Sequence, residues 1–120
     1  MLRKRRNSLA GARQVRRHAP LFAALGDETR LKLVARLCDR SPSSISTLAH
    51  GMPITRQAIT LHLQVLEKAS VVRGEMSGRE RLFELNPKPL MQAKDYLDLV
   101  SAQWDNALAR LKAHVERPEK

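Results

Sequence analysis

The sequence predicts a mostly α-helical domain carrying one β-hairpin, in the order α-α-α-α-β-β-α. Four segments before residue 70 carry apolar residues at helical spacing. Two short alternating runs then flank a glycine-containing connection, as the strands of a hairpin do. A last apolar stripe continues for near 28 residues, a helix of ~42 Å at 1.5 Å per residue.

The chain has 120 residues, the size of one ordinary domain, and its 42% hydrophobic content is enough for one compact core. No apolar run approaches the roughly 20 residues of a membrane span. The basic N-terminus is not followed by the apolar stretch of a signal peptide. Cys38 is the sole cysteine, which excludes an internal disulfide and a cysteine-only metal cluster. The composition therefore describes a cytoplasmic protein of a reducing compartment.

The elements follow in order. Pro20 opens a short apolar helix over 20–25, and Gly26 stops it. Asp27 caps a second helix, about 28–39, with Glu28 in its first turn. That helix is expected to bury Leu31, Val34, Ala35, Leu37 and Cys38, the cysteine as an inert thiol. Ser41-Pro42-Ser43-Ser44 reads as a turn with a capping serine. A short helix follows over 45–50, with Ile45, Leu48 and Ala49 facing inward. Gly51-Met52-Pro53 breaks the chain again. Thr55 caps the next helix, about 56–69, whose buried stripe is Ile59, Leu63 and Leu66. Strands are predicted at 71–75 and 81–85, joined by Met76-Ser77-Gly78-Arg79-Glu80. A lone hairpin is marginal in water, so this one must pack on the helices.

The last helix, about 88–115, carries Leu90, Ala93, Leu97, Val100, Trp104, Ala107, Leu108, Leu111 and Val115 as its stripe. It outreaches a small domain, so its far half is expected to bury that stripe on a second subunit.

The chain carries 22 Lys+Arg against 12 Asp+Glu, a net charge of +10, which points to an anionic partner and first to nucleic acid. Residues 1–26 hold Arg3, Lys4, Arg5, Arg6, Arg13, Arg16 and Arg17 and no acid, so they supply +7 of that charge. Residues 1–19 lack a sustained apolar stripe and read as a flexible basic arm that can follow a phosphate backbone; residues 20–116 form the folded domain.

Two short helices joined by a tight break, the second polar at its start, form the pattern of a helix-turn-helix, and the hairpin after it is a wing. The start of the second helix meets base edges in that arrangement. Thr55, Arg56, Gln57, Thr60, Leu61 and Gln64 are the candidate reading residues. Arg56 suits guanine and Gln57 adenine; Leu61 either meets a thymine methyl or is packed. Arg79, beside Gly78 at the wing tip, is placed to reach a minor groove. Arg73 and Arg81 either contact phosphates or pair with Glu75, Glu80 and Glu84. His62, beside the buried stripe, suits a structural or phosphate-bonding role better than metal ligation.

Three segments carry a resemblance: LFAALGDETRLKLV (21–34), QAITLHLQVLEKASVV (57–72) and SGRERLFELNP (77–87). They closely resemble the ArsR/SmtB family of winged-helix repressors, and the run from 87 to 116 resembles a metal-free branch of it. The resemblance implies a homodimeric repressor on a palindromic operator, joined through its first and last helices. Leu21, Phe22, Leu97, Val100, Trp104, Leu108 and Leu111 would form that interface. It also places Ser44 and Ser46 where metal-sensing members carry a Cys-x-Cys pair, and a hydroxyl does not replace a thiolate for a soft metal. On the last helix His114, Glu116 and Asp105 make an incomplete ligand set. No metal and no cofactor are expected. A small-molecule or protein inducer is left open.

A nonspecific architectural DNA- or RNA-binding protein driven by the basic arm is the competing reading. The few aromatics, Phe22, Phe83, Tyr96 and Trp104, look like core and argue against base stacking. An enzyme is not expected, because His18, His50, His62 and His114 fall in separate elements and no phosphate loop or nucleophile motif is present.

Overall fold

A computed structural model describes the backbone of residues 2–116 and the side chains of residues 11–116. Its elements are α1 (Leu2–Leu25), α2 (Glu28–Asp39), β1 (Ser43–Ser44), α3 (Ile45–Ala49), α4 (Arg56–Lys68), β2 (Val72–Ser77), β3 (Glu80–Leu85) and α5 (Pro87–Val115). The predicted caps hold three helix starts. Asp27 accepts from the Arg30 backbone N–H at 3.0 Å, Ser44 from Thr47 at 3.1 Å and Thr55 from Ala58 at 3.0 Å.

Two helices pack differently from expectation, for the same reason. The core-facing set of α2 is Arg30, Leu33, Val34 and Leu37, at i, i+3, i+4 and i+7. Leu33 and Leu37 are fully buried, whereas Leu31, Ala35 and Cys38 lie exposed on the opposite side. An arginine in the first inward position disguises the stripe. In α1 the inward set is His18, Leu21, Phe22 and Leu25, again with a polar residue first. His18 is buried and stacks on Tyr96 of α5, ring centroids 4.6 Å apart. The helix therefore continues upstream of Pro20, which sits exposed inside it rather than at its start. Its ring leaves the Arg16 carbonyl without the usual i+4 donor. The boundary expected between residues 19 and 20 thus falls inside one helix.

The turn read at 41–44 contains an unpredicted strand. Ser43 and Ser44 pair antiparallel with Phe83 and Leu82, so the sheet has three strands in the order β1-β3-β2. The hairpin is also tighter than expected. Ser77 pairs with Glu80, leaving Gly78-Arg79 as the two-residue turn. Gly78 takes φ 64°, a region glycine enters without strain.

Leu21, Leu33, Leu37, Leu48, Ile59, Leu63, Leu66, Val71, Val72 and Phe83 make the centre of the core, with Ala24 and Ala93. Truncating a fully buried leucine there costs about 2–5 kcal/mol. The end of α4 is locked into this core. Val71 N–H donates to the Leu66 carbonyl at 2.9 Å and Ser70 N–H to Glu67 at 3.0 Å, a Schellman closure with Ser70 at φ 64°. Beyond Val100, every described residue of α5 is exposed, and the molecule extends 70 Å along its longest axis.

Candidate nucleic-acid interface

The recognition unit is α3, the turn at Gly51 (φ 75°) and α4. Two arginines of α2 brace it. Arg36 donates through Nη1 to the carbonyls of Leu48 and His50, at 2.7 and 2.6 Å, covering the C-terminal end of α3. Arg30 donates through Nε to the Ala24 carbonyl at the end of α1, and its Nη1 lies 3.4 Å from Nδ1 of His62 on α4. Asp27 stands 3.8 Å from the same His62 nitrogen. The Arg30 backbone N–H, then the Arg30 guanidinium and the His62 ring, hold the Asp27 carboxyl below its ordinary value. His62 is therefore a member of a bracket linking α1, α2 and α4. Sequence reading missed both arginines; their only trace is Arg30 standing three residues after the Asp27 cap.

Arg56, Gln57, Thr60, Leu61 and Gln64 share an arc of about 140° on α4, away from Ile59, Leu63 and Leu66. Arg56, Gln57 and Gln64 are exposed. Leu61 is 57% exposed, so it is not packed within the subunit and the thymine-methyl alternative stays. Thr55 accepts from Ala58 and keeps its O–H to donate. The Thr60 hydroxyl donates to the Arg56 carbonyl at 2.9 Å, which leaves its oxygen as an acceptor for base amino groups rather than a donor to phosphate.

The wing stands beside this row. Arg56, Arg79 and Arg81 border one cleft of about 340 Å³ with Ser44, Ser46 and Glu80. Arg79 is exposed and forms no ion pair among the described residues. Arg73 pairs with Glu84 at 2.7 Å, one of the acids expected for it. Arg81 pairs instead with Glu67 of α4, at 2.6 Å, while its guanidinium lies 5.2 Å from the Phe83 ring centroid. Glu67 also accepts from the Gly74 N–H at 3.3 Å, so one carboxylate ties both strands to α4. Gly74 is required for that stack, because a Cβ there would lie 2.7 Å from Arg81 Nε.

The comparisons with known proteins agree with this geometry. A family model described as a helix-turn-helix domain matches residues 25–75. The chain is 35% identical over 87 residues to the HTH-type transcriptional regulator Rv2034 of Mycobacterium tuberculosis, covering 72% of this chain and 78% of that one. An ArsR-like transcriptional regulator from Rhodococcus sp. RHA1 superposes with a TM-score of 0.66 at 34% identity, covering 85% of this chain and 95% of that chain. The chain belongs to the ArsR family of winged-helix transcriptional regulators. A further member, the arsenical resistance operon repressor of Bacillus subtilis, is 28% identical over 60% of this chain and 69% of its own. This ArsR-family chain is a DNA-binding transcriptional regulator.

Leu21 is only 6% exposed in its own subunit's core and has little surface left for a partner. Phe22 is half-buried, its ring 6.2 Å from that of Tyr96. Leu97, Trp104, Leu108 and Leu111 are each about half exposed or more, and Val100 is half-buried. Of the positions matched to the Cys-x-Cys pair, Ser44 caps α3 and Ser46 is exposed. Among the described residues no three His, Cys, Asp or Glu side chains come together, and no helix is long and apolar enough to cross a membrane.

Proposed function

We propose that this regulator is a repressor that binds a palindromic operator as a homodimer, without a metal, at the nucleoid of a bacterial cytoplasm. The observation that carries the reading is the exposed row of Arg56, Gln57, Leu61 and Gln64 beside Arg79. In a major groove, Arg56 pairs bidentately with guanine, Gln57 with adenine, and Leu61 packs on a thymine methyl. Thr55 donates to a phosphate while its oxygen keeps the helix cap. Arg79 enters the adjoining minor groove. Arg73 and Arg81 hold the wing and add phosphate contacts only through their remaining N–H groups. The positive charges of residues 2–17 add affinity without sequence preference.

Dimerisation is supported by Leu97, Trp104, Leu108 and Leu111, an apolar row on a helix whose far half is exposed among the described residues. Two such helices side by side would bury it. Trp104→Ala should leave the subunit's own fold intact and weaken the dimer by about 3–5 kcal/mol, if the indole is fully buried there. Sedimentation at low micromolar concentration checks it; an unchanged profile removes Trp104 from the interface. The absence of a metal rests on the two serines at the family's thiolate positions.

Fluorescence anisotropy tests the function. The probe is the gene's own upstream region against a shuffled duplex, at physiological salt with excess chelator. A preference of ~10³-fold or more is the expected result. Equal affinity for both duplexes would favour an architectural protein driven by the basic segment.

A further inference from the structure

We infer that the groove between α1, α2 and α4 is an effector site for an amphipathic monoanion, an apolar chain bearing a carboxylate, sensed by the recognition helix through Arg30. The binding half of this inference stands on the groove alone. The regulatory half rests on the repressor reading above.

The groove is open to solvent along one side and has a volume of about 520 Å³, within the range of small-molecule sites. Ala23 and Ala24 of α1 line one side, and Val65 and Ala69 of α4 the other. Among the described residues its charged lining groups are Arg30 and Lys68, both cations. No carboxylate of the described residues lines it. Asp27, the nearest acid to Arg30 by its contacts, already accepts from the Arg30 backbone N–H and faces His62. An apolar trough with two cations and no counter-charge suits a ligand that is apolar along its length and anionic at one end. The basic α1 of a second copy would bring like charge to these cations.

Arg30 makes the groove more than a surface feature. Its Nε holds the Ala24 carbonyl at the end of α1, and its Nη1 lies beside His62 in the middle of α4. A carboxylate bridging Lys68 and Arg30 competes for the same guanidinium N–H groups that face His62. Binding would thus shift the support of the recognition helix relative to α1. Operator affinity and ligand affinity become reciprocally linked when the ligand's contact with this bracket differs between the free and the DNA-docked protein.

The test uses the full chain and sodium octanoate, with octanol and octylammonium in parallel. Methyl-resolved NMR of the DNA-free protein, at a concentration where it is dimeric, reports occupancy. Octanoate should shift the methyl signals of Ala23, Ala24, Val65 and Ala69 saturably, and octylammonium should not. Lys68→Glu should weaken octanoate by about tenfold, the worth of one charge-assisted contact, while Lys68→Arg retains it. No saturable shift would overturn the site, and so would an equal response to octanol or an unchanged affinity in Lys68→Glu. The operator titration is then repeated with octanoate. A changed operator Kd supports the regulatory half, and an unchanged Kd despite saturated methyl shifts overturns it. Loss of discrimination between operator and shuffled duplex before octanoate is added would count against the repressor reading, leaving the methyl result to stand by itself.

Discussion

The recognition helix and the wing border the same cleft, yet they spend their polar groups differently. On α4, Arg56, Gln57 and Gln64 are exposed, and Arg56 forms no ion pair among the described residues. On the wing, Arg73 and Arg81 are each held by a carboxylate within 2.7 Å, and Arg81 also covers Phe83. Only Arg79, of the three wing arginines, is uncommitted among the described residues. The difference teaches that counting cations overstates a DNA footprint. Paired arginines fix where the wing stands, and unpaired ones read or grip.

The largest expected effect therefore lies on α4. Arg56→Ala should lose about 10–100-fold in operator affinity, the worth of one bidentate base contact of 1–3 kcal/mol. The same variant should lose far less on a shuffled duplex. An equal loss on both would make Arg56 a backbone contact and erase the contrast with the wing.

Next comes Arg79→Ala. It should weaken operator binding by about 3–10-fold and flatten the salt dependence by about one phosphate's worth. Its melting temperature should not move, since the side chain is exposed and forms no ion pair among the described residues. Normal binding in this variant would remove the wing tip from the interface.

Arg81→Gln should behave in the opposite sense. Losing the half-exposed Glu67 pair and the Phe83 stack should cost about 0.5–1 kcal/mol of stability in urea unfolding. Operator affinity should change little. A large affinity loss with unchanged stability would make phosphate contact, and not wing support, the main role of Arg81.

The joint between the two regions gives a similarly small effect, of opposite sign and on stability alone. Ser70 closes α4 at φ 64° before β2 begins. Ser70→Gly should relieve that strain, offset by glycine's own entropy, for a net gain of about 0.5–1 kcal/mol. Thermal melting checks it; a destabilised variant would mean the serine side chain contributes more than the conformation costs.

Much of this was legible in the sequence where local signals agree. The fully buried positions of α4, Ile59, Leu63 and Leu66, are all apolar and Thr55 is a good cap, so the recognition helix was readable to within one residue at its end. The start of α1 and the buried face of α2 were not. His18 and Arg30 occupy the first inward positions, and each is held by a partner distant in sequence, Tyr96 and His62. Reading Leu31 and Cys38 as core followed from taking that polar position as the outside. Strand β1 is two serines whose pairing depends wholly on β3. The Arg81–Glu67 pair joins residues 14 apart, beyond the neighbouring acids that sequence proximity suggests. At the site itself, the exposure of Leu61 and the commitment of the Thr60 hydroxyl needed the folded geometry, because both depend on what surrounds α4.

The central claim is that the exposed face of α4 supplies specificity while the basic N-terminal segment supplies only affinity. Because residues from about Gln14 onward border α5, the informative truncation removes residues 2–10 and keeps that contact. The measurement is the ratio of operator to shuffled-duplex affinity for the full and truncated chains at one salt concentration, with chelator present. The account predicts that both affinities fall together and the ratio is preserved. A ratio that collapses toward one on truncation would contradict it.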